Sequence, residues 1–475
     1  MLVTPLALRE GPAALEALPV LARALEGEGP LLVPHAAGTP PPTTVSEAEG
    51  VPRDAALAVG TSGSTGRPKL AVLSAAALRA SADATHEVVG GSGVWLLALP
   101  PHHIAGLQVL LRSLAAGHTP VAVQRHSSFA PHHLADAVAR ADEQAPGARR
   151  YTSLVPTQLV RLLATTDGVQ TLRRLDAVLV GGASTSKDVL DRARSLGVNV
   201  VTTYGMSETC GGCVYDGRSI PGVQVRLREG RVHLGGAPLA HGYLDDGRLS
   251  DGGVFTTEPS GVADMVAPSD PSAPSALPAP SAPPAPSASP APQTEPTRWF
   301  RTDDLAHVSD GRLVIDGRVD DVIITGGLKV LPRDVERALE PLLPDGAAVA
   351  VVGVPDPEWG HCVGAVFVPR PSSHTGTDSG TDTGTDTATG TSTDTGTDAG
   401  IDAGTDDETL AALTDLGARI PEILEAARSV LPPHAVPRRV SLAPALPLRG
   451  PGKPDREALR LLLTTEPHPA SATFP

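Results

Sequence analysis

Short aliphatic runs alternate with helix-like segments through the first half of this 475-residue chain. The runs are residues 94–99, 151–155, 175–180 and 198–203, and the segments between them include 105–115, 157–164 and 187–196. A strand buried on both faces reads as a continuous apolar run, and a helix between two such strands makes them parallel. The alternation therefore predicts an α/β fold, in which a large N-terminal domain over residues 1–316 holds mostly parallel sheets flanked by helices.

The elements after residue 320 are shorter and follow a different order. They are a helix at 332–343, strands at 347–354 and 362–368, a helical stretch at 408–431 and a final helix from residue 455. Because proline lacks an N–H and clashes with the preceding turn, Pro421 is expected to break or restart the long helical stretch. Residues 321–475 are therefore predicted to form a smaller α+β domain, joined to the first through residues 317–320.

Two segments of low complexity interrupt the predicted domains. Residues 268–297 are rich in Pro, Ser and Ala, and residues 372–407 repeat a tetrad similar to Thr-Gly-Thr-Asp. Neither carries enough apolar surface to offset the entropy cost of ordering the backbone. Both are predicted to be disordered insertions in loops, the first semi-extended and the second flexible and acidic.

Composition argues against several classes of function. The formal net charge of −15 is unfavourable for binding nucleic acid or an anionic membrane. No apolar run reaches about 18 residues, so no membrane insertion is expected, and Arg9 and Glu10 interrupt what would be the core of a signal peptide. Three cysteines cannot form a disulfide framework in such a chain, which favours the cytoplasm. Cys210 and Cys213 lack further zinc ligands at suitable spacing and are predicted only to pack.

A glycine-rich loop at residues 60–69, with the sequence GTSGSTGRPK, is a candidate phosphate site. Its glycines let backbone N–H groups approach a ligand closely, and its hydroxyl groups and Lys69 add further donors. It is not the common P-loop, because no glycine lies five residues before a Gly-Lys-Ser or Gly-Lys-Thr sequence. Taken alone, such a loop could equally be a solvated turn.

Five further stretches accompany this loop. They are LPPHHIAG (99–106), VLVGGAS (178–184), TYGMSET (203–209), WFRTDDLAHV (299–308) with GRVDDVIITGGLKVLPRDVE (317–336), and LPLRGPGKPDREALR (446–460). In this order the six resemble the acyl-adenylate-forming superfamily of acyl- and aryl-CoA ligases, adenylation domains and luciferases, over about residues 55–460. The runs 102–114 and 154–163, after a short N-terminal region, resemble the o-succinylbenzoate–CoA ligases of menaquinone biosynthesis.

The resemblance implies a reaction in two steps. A carboxylate attacks the α-phosphate of ATP to give acyl-AMP and pyrophosphate, and the thiol of coenzyme A then displaces AMP to give a thioester. The implied ligands are ATP, Mg²⁺, coenzyme A and a small-molecule carboxylic acid, and family likeness favours a homodimer. Because a carboxylate and a polyphosphate repel each other, catalysis of the first step depends on positioning and electrostatics.

The same resemblance assigns roles to individual residues. Those implied to bind ATP or AMP are Thr61, Ser62, Gly63, Ser64, Thr65, Gly66, Lys69, Gly182, Ala183, Tyr204, Gly205, Ser207, Asp304 and Arg318. Glu208 would ligate Mg²⁺, which prefers oxygen, and Lys453 would bridge the carboxylate and the α-phosphate. Asp320 would be the hinge of a mobile small domain, whose rotation removes Lys453 and brings Gly326 and Gly327 against the pantetheine arm.

Three residues are candidates for binding the acid. His103 is implied to be a wall of the acyl pocket, although a lone histidine on an apolar stretch is commonly a core residue. Arg112 lies in the aliphatic run LQVLLRSL, and its guanidinium matches the second carboxylate of o-succinylbenzoate with two parallel hydrogen bonds. The alternative for Arg112 is a position on the helix surface. Thr157 is a candidate for a further polar contact.

One position departs from the family pattern. The family has Thr-Gly-Asp where this chain has Thr302-Asp303-Asp304, so Asp304 is aligned with the ribose-binding aspartate and Asp303 replaces a glycine. Three other functions stay open at this point: a ligase for another aryl or medium-chain acid, an adenylation enzyme that loads a carrier protein, and a nucleotide-binding regulator without catalysis.

Overall fold

The computed structural model describes residues 1–61, 69–124, 129–258, 297–344, 346–369, 407–449 and 453–464. The chain divides into two compact units. The first comprises Met1–Asp320 with Leu448–Lys453, and the second comprises Asp321–Pro447 with Pro454–Pro475. Most of the two low-complexity segments lies outside the described residues.

The first unit contains a six-stranded mixed sheet. Its order is β1 (Val3–Leu8), β2 (Leu31–Ala36), β3 (Ala55–Gly60), β4 (Leu70–Ser74), β14 (Gly242–Asp245) and β15 (Arg248–Ser250). Strands β1 to β3 are parallel and the other pairs are antiparallel. Gly60 pairs with Leu70, so β3 and β4 form the base from which the glycine-rich loop extends.

A seven-stranded sheet carries the predicted α/β pattern. Its order is β11 (Arg218–Ser219), β10 (Gly211–Tyr215), β9 (Val200–Met206), β8 (Ala177–Val180), β7 (Arg149–Leu154), β5 (Gly93–Leu97) and β6 (Val121–Ala122). From β9 to β6 every pair is parallel, and β10 joins β9 in the antiparallel sense. The predicted fold class is confirmed.

Helices cover both faces of this parallel region, which explains the continuous apolar runs. They are α1 (Leu18–Leu25), α2 (Ala75–Val89), α3 (Ile104–Ala115), α4 (Pro131–Gln144), α5 (Pro156–Leu163), α6 (Thr166–Arg173) and α7 (Lys187–Ser195), with 3-10 turns at Gly11–Ala17 and Ser207–Thr209. Successive side chains of a strand point to opposite faces. Accordingly, Trp95 and Tyr151 belong to one apolar cluster, and Val94 and Leu96 to another.

A third sheet in the first unit is wholly antiparallel and was not predicted. Its order is β12 (Val223–Arg228), β13 (Arg231–Gly236), β17 (Thr297–Ser309) and β16 (Phe255–Glu258), with β18 (Arg312–Arg318) on β17. Thr297 pairs with Glu258, so the predicted insertion 268–297 extends one residue too far. Backbone pairing, rather than local composition, orders Thr297.

The second unit is the predicted α+β structure. Its sheet has the order β20 (Leu328–Val330), β19 (Ile323–Thr325), β22 (Gly360–Val368) and β21 (Ala348–Asp356), with β23 (Arg439–Leu442) parallel to β22. Its helices are α8 (Pro332–Leu339), α9 (Asp407–Ala427) and α10 (Arg456–Thr464), and its 3-10 turns lie at Glu340–Leu342 and Pro433–Ala435. A further 3-10 turn, Val319–Asp321, contains the residues at which the first unit ends and the second begins along the chain. The segment Leu448–Lys453, which belongs to the first unit, contains the short strand β24 (Leu448–Arg449) and the start of β25 (Lys453–Pro454), and these two strands pair with each other.

Two predictions for the second unit were wrong in detail. Helix α9 runs through Pro421 without a break. Ile420, Ile423 and Leu424 of this helix are buried in the apolar core, and their packing outweighs the one backbone hydrogen bond that proline removes. The helix also begins at Asp407, one residue inside the predicted insertion 372–407. Among the described residues, no helix is both long and apolar enough to span a membrane.

Candidate active site

The base of the glycine-rich loop lies beside the 3-10 turn that follows β9. The Thr61 N–H donates to the Lys69 carbonyl at 2.8 Å, which closes the loop. The Ser207 hydroxyl donates to the Gly60 carbonyl at 2.9 Å. The structure therefore brings Thr61, Lys69 and Ser207 together. The other predicted phosphate-binding residues of the loop lie outside the described residues; they are Ser62, Gly63, Ser64, Thr65 and Gly66.

The Glu208 carboxylate is held from the first sheet. It is only 8% exposed, and it accepts a hydrogen bond from the Tyr243 hydroxyl at 2.7 Å. The Lys69 ammonium lies 5.2 Å from the centre of the Tyr243 ring, whose other neighbour is Phe255 at 5.8 Å. Burial and the adjacent carboxylate raise the pKa of Tyr243, so its phenol stays protonated and donates. Tyr243 was not predicted from the sequence, because it lies outside the six motifs.

The donor set around Glu208 fits Mg²⁺ only together with substrate oxygens. The described part of the chain holds no group of three or more His, Cys, Asp or Glu side chains that could bind a metal. Mg²⁺ is commonly bound by one or two carboxylates plus phosphate oxygens and water. The buried Glu208 carboxylate, close to the base of the glycine-rich loop at Gly60 and Lys69, fits that mode.

Tyr204, Asp304 and Arg318 form a second group in the first unit. The Tyr204 hydroxyl donates to Asp304 Oδ2 at 2.6 Å, and Arg318 Nη1 lies 3.6 Å from Asp304 Oδ1. Burial raises the pKa of Tyr204, and the Asp304 carboxylate raises it further. Arg318 is itself held by Asp320, which accepts from Arg318 Nε at 2.9 Å. Asp304 thus joins Tyr204 and Arg318 at the position that the sequence predicts for ribose binding.

The arrangement of Asp303 supports the alignment of Asp304 with the ribose-binding position. The Asp303 side chain is 53% exposed; it pairs with Arg231, and its Oδ2 lies 3.5 Å from Arg318 Nη2. Its backbone is not among the non-glycine residues with positive φ in the part of the chain that the structure describes, so replacing glycine there causes no strain. The Asp304 N–H donates to the Thr302 hydroxyl at 3.0 Å, which fixes the turn.

Glycines near the predicted adenine position are required by close packing. A Cβ atom on Gly205 would lie 2.0 Å from the Gly211 carbonyl oxygen of the paired strand. Gly182 follows β8 with φ of +82°, a conformation that favours glycine. Ala183 follows it and is half-buried. Gly205 is thus required by strand packing and Gly182 by its backbone conformation.

Arg112 is buried inside the first unit. It is 3% exposed, which excludes a position on the helix surface. Its Nη2 donates to the Tyr215 hydroxyl at 3.2 Å, and its guanidinium carbon lies 5.0 Å from the Trp95 ring centre. Its Nε is buried without a hydrogen-bond partner. Burial lowers the pKa of Arg112, and among the described residues no carboxylate forms an ion pair with it.

Few contacts are described for the other predicted residues of the larger unit. His103 precedes α3, and its ring centre lies 4.2 Å from that of His102. Thr157 is exposed in the first turn of α5, and none of the described contacts joins it to Glu208, Asp304 or Arg112. Lys453 begins β25, but its side chain lies outside the described residues.

Gly326 and Gly327 turn between β19 and β20 of the second unit. Both have positive φ, of +56° and +80°. The Gly326 N–H donates to the Trp359 carbonyl at 3.0 Å, and a Cβ atom on Gly326 would lie 2.4 Å from the Trp359 ring. Gly326 is therefore required by the close approach of this turn to Trp359.

Cys210 and Cys213 are buried thiols. Burial raises the pKa of both, that of Cys213 to about 12, so they stay neutral. This supports the prediction that they serve packing.

Comparison with known proteins relates this chain to adenylate-forming enzymes. The family model described as AMP-binding enzyme matches residues 10–242. A Mycobacterium tuberculosis H37Rv protein named "Probable 2-succinylbenzoate–CoA ligase" is 41% identical over 367 residues, which is 75% of this chain and 82% of that protein. The 2-succinylbenzoate–CoA ligase of Salmonella typhimurium is 30% identical over 313 residues, which is 63% of this chain and 55% of that protein.

Solved structures have the same fold. ATP-bound MatB from Rhodopseudomonas palustris superposes with a TM-score of 0.64 at 20% identity, covering 96% of this chain and 88% of that one. The o-succinylbenzoate CoA synthetase from Bacillus subtilis, in complex with its acyl-adenylate intermediate, gives a TM-score of 0.59 at 20% identity, covering 96% and 88%.

Proposed function

The chain belongs to the AMP-binding enzyme family and is an AMP-forming acid–CoA ligase, and we propose that its acid is o-succinylbenzoate. The observation that carries the choice of acid is the burial of Arg112 without a carboxylate partner among the described residues. A buried charge is costly unless it is paired. A dicarboxylic acid supplies the missing anion when one of its carboxylates binds Arg112 and the other is activated.

In the first half-reaction the chain's own groups would hold ATP and the reacting carboxylate. We assign the β- and γ-phosphates to Thr61, Lys69 and the loop between them, and the ribose to Asp304 with Arg318. The neutral Tyr204 phenol orients Asp304 and places the Tyr204 ring for stacking on adenine. Mg²⁺, held by Glu208, would neutralise phosphate charge. Lys453 would hold the carboxylate against the α-phosphate as a compact point charge.

The second half-reaction is assigned to the smaller unit. Coenzyme A would approach the turn at Gly326 and Gly327, whose lack of side chains lets a thiol pass close to the backbone. The chain divides between Asp320 and Asp321, which supports Asp320 as the hinge. We also propose a cytoplasmic homodimer, in line with family likeness.

A substrate panel analysed by mass spectrometry tests the proposal. The purified chain is incubated with ATP, Mg²⁺, coenzyme A and a set of aryl, medium-chain and dicarboxylic acids, with Lys453→Ala as the control. We expect an o-succinylbenzoyl-CoA peak that is lost in the variant. A thioester formed only from monocarboxylic acids would contradict the assignment of the acid. Acyl-AMP without thioester would indicate a carrier protein as the acceptor, and no pyrophosphate release with any acid would indicate a regulator.

A further inference from the structure

Arg112 lies at the end of a buried hydrogen-bond chain that the proposed reaction does not use. The Tyr215 hydroxyl accepts from Arg112 Nη2 at 3.2 Å and lies 3.0 Å from the Thr85 hydroxyl. The Thr85 hydroxyl in turn donates to the Ser81 carbonyl at 2.8 Å. Tyr215 is 4% exposed and Thr85 is fully buried, so water does not compete for these bonds.

The ends of the chain fix the direction of every hydrogen bond in it. A guanidinium can only donate and a carbonyl can only accept. The Tyr215 oxygen must therefore accept from Arg112 and donate its own proton to Thr85, which donates to Ser81. Each hydroxyl gives one hydrogen bond and takes one, so neither Tyr215 nor Thr85 can rotate without losing a partner in a buried site.

Trp95 restricts Arg112 from another side. The guanidinium carbon lies 5.0 Å from its ring centre, and the Tyr151 ring packs against Trp95, also at 5.0 Å. The Trp95 indole N–H donates to His86 Nε2 at 3.2 Å, which fixes the indole plane. Among the described residues, Arg112 is thus located by a stacking contact with Trp95 and by one side-chain hydrogen bond, which it donates to the Tyr215 hydroxyl.

The backbone is adapted to place Tyr215 at this point. Tyr215 ends β10, opposite Thr203 of β9, the neighbour of Tyr204. A Cβ atom on Gly212 would lie 2.7 Å from the Tyr215 ring, so a larger residue there would displace the ring.

We propose that Tyr215 is a specificity-determining positioning residue: its phenol oxygen holds the Arg112 guanidinium in the orientation in which the remaining N–H groups meet the non-reacting carboxylate of the acid. This assignment rests on the proposed function. It extends acid recognition from one arginine to a pair of residues, on α3 and β10. Tyr215 has no role in the chemistry of adenylation.

The test compares two acids on the Tyr215→Phe variant. One is o-succinylbenzoate, and the other is benzoylpropionate, which lacks the aryl carboxylate. We expect the KM for o-succinylbenzoate to rise about tenfold with kcat little changed, because one hydrogen bond to a charged group is lost. The KM for benzoylpropionate should not change, since it has no second carboxylate for Arg112 to bind. The measurement is AMP formation at saturating ATP and coenzyme A.

Tyr151→Phe is the matched control. It also removes the hydroxyl of a buried tyrosine, one whose ring packs against Trp95, but this hydroxyl donates to the Val89 and Gly91 carbonyls and has no described hydrogen bond to Arg112. It should lower the melting temperature as much as Tyr215→Phe and leave the ratio of the two KM values unchanged. Thr85→Val provides a second variant should Tyr215→Phe fold poorly, and a smaller rise in the KM for o-succinylbenzoate alone is expected.

Two results would overturn the inference about Tyr215. One is a wild-type KM for o-succinylbenzoate in Tyr215→Phe, and the other is an equal rise in KM for both acids, which would show a merely structural role. If the wild-type chain forms no thioester from o-succinylbenzoate, the proposed function fails and the assignment of Tyr215 falls with it. Measuring the wild-type reaction thus shows whether the proposed function has failed or only the assignment of Tyr215.

Discussion

The Tyr243 hydroxyl lies 2.7 Å from the Glu208 carboxylate and joins two sheets of the larger unit at the proposed metal position. Tyr243 belongs to β14 of the six-stranded sheet, and Glu208 follows β9 of the seven-stranded sheet. The Ala240 N–H donates to the Glu208 carbonyl at 2.8 Å and reinforces this junction. The glycine-rich loop also begins and ends on this six-stranded sheet, so the sheet that holds Glu208 through Tyr243 carries the base of the loop as well.

Tyr243→Phe is expected to raise the Mg²⁺ concentration for half-maximal activity about tenfold, because a hydrogen bond that orients a metal-binding carboxylate is lost. The ring should keep its contact with Phe255, so the melting temperature should change little. The measurement is pyrophosphate release at a series of Mg²⁺ concentrations, with Tyr151→Phe as the control. An unchanged Mg²⁺ dependence would contradict a role for Tyr243 in orienting Glu208.

Asp304→Asn is expected to raise the KM for ATP roughly 10- to 100-fold, because it weakens charge-assisted hydrogen bonds to the ribose and to Tyr204. Asp303→Asn is the matched variant, one residue away. It should have a smaller effect, since it weakens only the partly exposed ion pairs of Asp303 with Arg231 and Arg318. ATP titrations of both variants decide the alignment, and a larger effect of Asp303→Asn would reverse it.

Arg112→Lys is expected to raise the KM for o-succinylbenzoate at least tenfold, because an ammonium cannot reproduce a planar, bidentate contact with a carboxylate. The KM values for ATP and coenzyme A should stay the same. Arg161→Lys, on the partly exposed helix α5, provides a control for the substitution itself. Unchanged acid kinetics in Arg112→Lys would remove the basis for choosing a dicarboxylic acid.

Deletion of residues 372–406 is expected to leave kcat within about twofold of the wild-type value, because the closure entropy of a loop varies slowly with its length. The deletion keeps Asp407, the first residue of α9. The control is a deletion extended through residue 416, which removes buried Leu416 and should destabilise the second unit. A large loss of kcat on the shorter deletion would refute a passive role for this segment.

Protonation of His86 is expected by itself to lower the melting temperature by about 4 °C between pH 7 and pH 5. Burial and the nearby Arg112 guanidinium lower the pKa of His86 to about 4, whereas the unfolded chain takes up this proton near pH 6.5. The stabilisation is therefore complete above pH 6.5 and is lost as the pH falls toward 4. His86→Gln, which keeps an acceptor for Trp95, should flatten the pH dependence, and exposed His361→Gln should not. An equal slope in both variants would contradict this origin.

Local sequence was sufficient to predict the fold class and to locate the motifs of the larger unit. Continuous apolar runs predicted the parallel strands because both sheet faces are covered by helices, a requirement that acts on every residue of a strand. The antiparallel sheet was missed since its strands alternate in polarity and include Arg226 and Arg228, which pair with Glu258. Pro421 was misjudged because the packing of α9 outweighs a local preference.

The sequence by itself determined the candidates for the chemistry: the motifs predicted Lys69, Glu208 and Asp304, and the run 102–114 predicted Arg112, without any coordinates. Only the tertiary structure decided their partners. Tyr243 lies 35 residues from Glu208, Tyr204 lies 100 from Asp304, and Tyr215 lies 103 from Arg112. A motif is a local pattern, whereas the orientation of a buried charge depends on hydrogen bonds between strands and helices that meet only when the sheets assemble.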